Sequence, residues 1–278
     1  MNAQVGNRVA VHQPLLSTQE EQRLSVIMET VERNRFLPAP TPENVFVGDG
    51  DYRAIGAEYL GHFVRLGGLK PSHRVLDVGC GIGRMAVPLT QYLDGEASRY
   101  EGVDPVKDGI EWCVQNITSV YPHFRFCQID LAHELYNPGG ALGGHEVVLP
   151  FSDASFDFIA MVSVATHLPI AEIAAYSREI RRLLSPVGRL FMTTFLVLDG
   201  DLERENARPK FVPGKDPGTW YGAPDAPLAA IGFDRNLVEQ AVREAGLQIE
   251  CVSLGHWRGI DSMHYQDVVI ATSPGKAA

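Results

Sequence analysis

The residues most able to do chemistry begin at "RVLDVGCGIGRMA", where Asp77 precedes Gly79, Gly81 and Gly83 at the end of an apolar run. Glycines without a Cβ tolerate positive φ, so the backbone turns sharply there and lets a ligand approach it closely. The spacing is GxGxG with an acid two residues ahead, which departs from the GxGxxG fingerprint of a dinucleotide site. A pyrophosphate favours a helix N-terminus free of carboxylates, whereas a carboxylate at Asp77 suits a ligand that brings positive charge. Two further acids follow at comparable intervals. Asp104 closes "YEGVDP", near the offset at which an acidic residue takes ribose hydroxyls, and Asp130 closes "FRFCQIDL". Each alone reads equally well as a helix cap or turn residue. Together, at successive strand ends, they read as the wall of a nucleoside site.

Such a row of acids requires parallel strands that end side by side. From Arg74 onward apolar strands alternate with helical segments, the pattern of a parallel sheet covered on both faces. Strands are expected at 74–78, 99–103, 124–128, 156–162 and 188–195, with helices near 83–93, 107–120 and 171–184. Residues 199–232 break the rhythm with Pro- and Gly-rich stretches and read as a substrate cap. A helix near 234–245 closed by Gly246 follows, then strands at 247–254 and 266–272. Upstream, residues 1–17 show no periodicity. "STQEEQRLSVIMETVERNRF" starts a helix at Ser17 and Thr18, and "RAIGAEYLGHFVRLGGL" has helical spacing. The chain thus divides into an extension with lid helices over 1–70 and a main domain over 71–278.

The motifs "VLDVGCGIG", "GVDP", "IDL" and "LPFSDASFDFIAMVSVATHL" resemble those of class I S-adenosylmethionine-dependent methyltransferases, well over 74–198 and more loosely at the final strand pair. The resemblance implies a Rossmann-like α/β fold whose seven-stranded, mostly parallel sheet has the order 3-2-1-4-5-7-6, with "QDVVIATS" as its antiparallel strand. It implies the cofactor S-adenosyl-L-methionine, with Asp77, Gly79, Cys80, Gly81 and Gly83 near the methionine part, Asp104 and Pro105 near the ribose, and Asp130 with Leu131 near the adenine. "DYRAIGAEYL" and "YQDVVIA" are similar to a bacterial group with small-molecule or sugar acceptors. Tyr52 and Arg53 fall where an N-terminal segment can close over the methionine carboxylate, for which an arginine fork is suited. A surface arginine beside a packing tyrosine is the competing reading.

A hydroxyl acceptor must lose a proton, and His167, just after strand four, is the first candidate base, against a role in packing the cofactor. Ser163 and Val164 border the cofactor through backbone groups. His256 is the second candidate base, grouped with Trp257 and His264. Trp220 and Tyr221 face the acceptor from the insertion, or else anchor that loop. The loop 135–145 reads as flexible and as shaping the acceptor site. No metal set is recognised, and Asp157 resembles the family's packing aspartate.

Composition narrows the partners. A formal charge of −10 argues against a nucleic-acid surface, so a small-molecule acceptor is expected, with a homo-oligomer left open. Cys80, Cys113, Cys127 and Cys251 lack zinc spacing and read as reduced, mostly buried thiols. No apolar run approaches the roughly 18 residues of a membrane span, and no signal segment is seen, so no membrane partner and a cytoplasmic location are expected. O-methylation is favoured by the histidines over N- or C-methylation. A nicotinamide oxidoreductase would need the absent GxGxxG spacing, and a cofactor-binding regulator without turnover is the third alternative.

Overall fold

In the computed structural model of the protein, residues 16–46, 48 and 50–274 are described, so most of the aperiodic 1–17 stretch lies outside them. The central sheet carries β1 (Arg74–Val78), β2 (Arg99–Asp104), β3 (Phe124–Gln128), β4 (Phe156–Met161), β5 (Leu184–Val197), β9 (Gln248–Ser253) and β10 (Asp267–Thr272). Their order is β3-β2-β1-β4-β5-β10-β9. The first five are parallel, β10 is antiparallel to β5, and β9 is antiparallel to β10. This is the Rossmann-like methyltransferase order expected from the motifs, with "QDVVIATS" as the antiparallel strand.

Strand alternation divides the buried side chains into two layers. Leu76, Ile159 and Met161 face α5 (Ile170–Leu183) and α6 (Arg235–Glu244), where Ile173, Ile180 and Val238 meet them. Val75, Phe158 and Phe191 face the other side, against α2 (Tyr52–Arg65), α3 (Ala86–Tyr92) and α4 (Lys107–Cys113). Phe63 of α2 packs edge-on against both Phe158 and Phe191, at centroid distances of 5.4 and 4.9 Å, so α2 shares the core of the main sheet. α1 (Thr18–Arg33) starts with a capping box: Ser17 Oγ accepts from the Glu20 N–H, and Glu20 Oε2 accepts from the Ser17 N–H. It is tied to α2 by Arg65 Nε donating to Glu21 Oε1 at 2.9 Å.

Asp157 accepts two hydrogen bonds from the Arg74 guanidinium, at 2.9 and 2.7 Å, and so fastens the bottom of β4 to β1. Cys127 is exposed and Cys251 half-buried, so the expectation of mostly buried thiols holds for Cys80 and Cys113 alone. The insertion differs from its irregular expectation. β6 (Val212–Pro213) and β7 (Thr219–Tyr221) form a hairpin, and β8 (Ile231–Asp234) runs parallel to the last residues of β5. The cause is an edge: β10 pairs with β5 only up to Thr194; beyond it Asp267 and Arg258 take the Leu196 N–H and carbonyl, and β8 pairs along Phe195–Val197. No helix among the described residues is long and apolar enough to cross a membrane.

Candidate functional site

A cavity of about 670 Å³ opens at the carboxyl ends of β1, β2 and β4, within the usual size range for small-molecule sites. Its floor is the turn after β1. Gly79 and Gly81 adopt φ of +76° and +53°, and a Cβ on Gly79 would stand 2.2 Å from Val164 Cγ2. The turn is fastened to β2: the Gly79 and Cys80 amides donate to the Val103 carbonyl, and the Gly81 N–H donates to Asp104 Oδ2 at 2.7 Å. Asp104 Oδ1 accepts the Val106 N–H at 2.8 Å. Burial nonetheless pushes this carboxyl up to about 6, which outweighs the two backbone donors. Its remaining lone pairs line the cavity, where a ribose diol can donate to them.

At the opposite end of the turn stands Arg84, 7% exposed, immediately after the third glycine. Its Nη2 donates to the Gly48 carbonyl at 2.9 Å, and its plane lies over the Tyr52 ring. Its buried Nε has no partner among the described residues. A guanidinium that borders the cavity is suited to a carboxylate. Diol acceptor, bare turn and guanidinium together fit an adenosyl amino acid such as S-adenosylmethionine.

Several expected contacts are corrected. Arg53 does not reach the cavity, because its guanidinium is taken up by the carbonyls of Asn34, Arg35 and Leu37 under α2. Tyr52 is buried and its hydroxyl donates to the Ile82 carbonyl at 2.9 Å, supporting the turn from behind. Asp77 points to the α2 side of the sheet and accepts the Tyr100 hydroxyl at 2.6 Å; burial pushes it up to about 7. Gly83 makes room for α4, since a Cβ there would meet Ile117 and Cys113. Asp130 is exposed and accepts from Asn137 Nδ2, leaving Leu131 on the cavity wall.

The second histidine group is also elsewhere. His256 is exposed against Tyr265, and His264 is buried between the Ser253 hydroxyl and the Gln266 carbonyl. Trp257 is fully buried, with Nε1 donating to Asp267 Oδ2 at 2.8 Å, and its neighbour Arg258 pairs with Asp201 and Asp267. Trp220 packs against the Phe195–Trp257 cluster and Tyr221 against the main core. These residues hold the insertion to β5 and β10, and none of them lines the cavity.

Gly79, Cys80, Gly81, Asp104, Pro105, Leu131, Ser163, Val164 and His167 do line it. Ser163 has φ +56°, a conformation costing on the order of 1–2 kcal/mol for an L residue, and its N–H donates to Thr193 Oγ1 at 2.7 Å. That turn delivers the short 3-10 segment Ala165–His167 to the cavity rim. His167 Nδ1 lies 2.8 Å from the Leu228 carbonyl, which accepts only, so Nδ1 carries the proton and Nε2 the lone pair. The Tyr136 hydroxyl stands 3.4 Å from that Nε2. Burial lowers His167 below its ordinary value, which keeps the ring neutral at pH 7.

Sequence reasoning missed Arg84, Tyr136, Glu172 and Gln266, all on the cavity wall. Arg84 had a local signal, its place directly after GxGxG. Tyr136 comes from the 135–145 loop, which is braced by bridges Leu131–Leu142 and His133–Asn137 rather than loose.

Comparison with known proteins shows the fold and the family. The family model described as a methyltransferase domain matches residues 52–252. A sterol 24-C-methyltransferase (ERG6B) of Gibberella zeae is 28% identical over 167 residues, which is 58% of this chain and 38% of that protein. The chain spans less than half the length of the curated relatives it matches. Among solved structures, the PH0226 protein of Pyrococcus horikoshii OT3 has a TM-score of 0.57 at 18% identity, over 84% of this chain and 95% of that one. Magnesium protoporphyrin IX methyltransferase of Synechocystis PCC 6803, solved with bound SAH, has a TM-score of 0.50 at 15% identity, over 92% and 94%. At such identities the likeness is one of fold. With its domain matched over most of its length and its turn, diol acceptor and guanidinium suited to the donor, the chain belongs to the S-adenosylmethionine-dependent methyltransferase domain family.

Proposed function

We propose that this protein transfers a methyl group to a hydroxyl of a small molecule, a sugar or secondary metabolite, with His167 as the base. The observation that carries the reading is the Leu228 carbonyl at His167 Nδ1, which holds the ring in the tautomer whose Nε2 accepts a proton at the cavity rim. The bound cofactor supplies an electrophilic methyl on a sulfonium. Asp104 receives the ribose hydroxyls, Arg84 receives the methionine carboxylate, and the Gly79–Gly81 turn leaves room for the chain between them. Val164 and Ser163 border the donor through the strained turn after β4. His167 Nε2 takes the hydroxyl proton as the oxygen–carbon bond forms. Buried walls exclude water and leave positioning as the main contribution to rate. The −10 charge supports a small molecule over a nucleic acid as acceptor.

A carbon acceptor is the second reading, favoured by the similarity to a sterol 24-C-methyltransferase. Incubation with S-[13C-methyl]adenosylmethionine and a panel of sugars, phenols, amines and sterols separates the two. The proposed activity gives a methoxy 13C resonance together with S-adenosylhomocysteine, and a resonance of a carbon-bound or nitrogen-bound methyl overturns it. Binding of the donor with no turnover on any acceptor would instead support a cofactor-binding regulator.

A further inference from the structure

The cavity extends beyond the donor cradle to a wall built from α2, the end of β4 and the residue preceding β10. Gln266 stands on this wall, 8% exposed, and lines the cavity together with Tyr59. Its Oε1 accepts two hydrogen bonds, from Ser163 Oγ at 3.0 Å and from Thr193 Oγ1 at 2.5 Å. Thr193 Oγ1 itself accepts the Ser163 N–H, so its own proton is the one that points at Gln266. In this arrangement the carboxamide turns its oxygen to both hydroxyls and its NH2 away from them. The Nε2 group therefore presents its two N–H bonds on the other side, and among the described residues nothing accepts them. An amide on the cavity wall whose oxygen is taken by two hydroxyls, with both donors unspent, is suited to receive an oxygen of a ligand.

Its place in the sheet separates it from the donor. The glycine turn follows β1 and Asp104 ends β2, whereas Gln266 adjoins β10, beyond β4 and β5 in the strand order. Ser163 is the boundary: its neighbour Val164 touches the Gly79 turn on one side, and its hydroxyl meets Gln266 on the other.

We propose that Gln266 binds the methyl acceptor through Nε2, and that the acceptor carries a hydrogen-bond-accepting oxygen, such as a carbonyl. This rests on the reading of the cavity as a methyltransferase site for a small molecule. Two N–H donors at this position also disfavour a cationic group there, which an ammonium acceptor would bring.

The test uses the full chain saturated with S-adenosylhomocysteine and two matched probes, 4-hydroxyacetophenone and 4-ethylphenol, which differ by one carbonyl oxygen. Calorimetry is expected to show the ketone binding about tenfold more tightly than 4-ethylphenol. Gln266→Leu is expected to remove that preference while changing affinity for S-adenosylhomocysteine by less than about twofold. Should Gln266→Leu fail to fold, Gln266→Glu keeps an oxygen for Ser163 and Thr193 and replaces the donors by a carboxylate oxygen. It is expected to reject the ketone and still bind 4-ethylphenol. Equal affinities for the two probes in the natural protein, binding of neither, or equal losses of both in either variant would overturn the assignment. So would loss of S-adenosylhomocysteine affinity in Gln266→Leu, which would assign Gln266 to the donor. Failure of the natural protein to bind S-adenosylhomocysteine strikes the underlying functional reading instead, and is seen before any probe is added.

Discussion

Replacing His167 by Gln tests whether the histidine is a base or a packing residue. In the natural protein the Leu228 carbonyl at 2.8 Å holds the proton on Nδ1, and burial lowers the ring below its ordinary value of 6.5. The neutral ring is thus the resting state at pH 7, with Nε2 beside the Tyr136 hydroxyl. A positioned general base contributes roughly 10²–10⁴ in rate, which at about 1.36 kcal/mol per decade is roughly 2.7–5.4 kcal/mol of transition-state stabilisation. His167→Gln is therefore expected to lower kcat on the best acceptor of the panel by about 10²-fold or more. Affinity for S-adenosylhomocysteine should hold, since Asp104 and Arg84 are untouched. The pH profile gives an independent reading. In the natural protein kcat should fall as pH drops through the value of the ring, which burial holds below the ordinary 6.5, and the variant should lose this acid limb. Stability moves in the same direction. The folded-state pKa lies below the unfolded one, so the unfolded chain binds the proton more tightly; the contribution is complete above about 6.5 and is lost as pH falls through the folded value. Rates measured as S-adenosylhomocysteine release, and affinity by calorimetry, decide the matter. A kcat within about tenfold of the natural protein, with the acid limb intact, would refute the assignment and leave His167 as packing.

Arg84→Met removes the guanidinium proposed for the methionine carboxylate, and a charge-assisted hydrogen bond worth about 1.5–3 kcal/mol corresponds to roughly 10–150-fold weaker binding of S-adenosylhomocysteine. Calorimetry with 5′-methylthioadenosine, which lacks the carboxylate, should show little change, and an equal loss for both ligands would assign Arg84 to the scaffold. Gly79→Ala introduces a Cβ 2.2 Å from Val164 Cγ2 at φ +76°. The backbone term alone is about 1–2 kcal/mol; Val164→Ala should relieve the contact but not that term, as read by urea unfolding of the two single variants and the double. Arg258→Ala takes from buried Asp267 its cation, leaving it the neutral donors of Leu196, Gly255 and Trp257, while Asp201 keeps Arg204. A loss of about 3–5 kcal/mol is expected in chemical denaturation, and a change below about 1 kcal/mol would show that the carboxylates find other partners.

Much of the glycine turn and the strand ends beside it was legible because the determinants are local. A backbone that turns after β1 with Gly79 and Gly81 at positive φ needs those residues whatever lies around it, so the motif pointed to the turn itself. Likewise Asp104 ends β2 opposite the turn because parallel strands in register place successive ends side by side. His167 follows the same logic, lying just past β4, whereas its tautomer depends on Leu228 in the insertion and has no signature near the histidine.

The arginine of the site shows where such reading stops. Arg53 and Arg84 both lie near the donor end, and sequence alone favoured Arg53 on the first turn of α2. Folding places the 34–37 segment beneath that turn, and its carbonyls consume the Arg53 donors, so Arg84 is the one that faces the cavity. Asp77 was sent the wrong way for a related reason. Side chains alternate along β1, and Asp77 falls on the face opposite Leu76 and Val78, under Tyr100.

Sequence by itself determined the alternation of strands and helices, the glycine turn and the row of strand ends, because hydrophobic period and glycine φ are properties of neighbouring residues; the strand order came from the resemblance of its motifs. Tertiary structure decided which polar groups face the cavity. Ser163 and Gln266 are 103 residues apart, and the carboxamide is oriented only once β4, β5 and β10 have brought the serine, Thr193 and the glutamine together. A hydrogen bond of that kind depends on the positions of three strands at once, and no local pattern of residues encodes it.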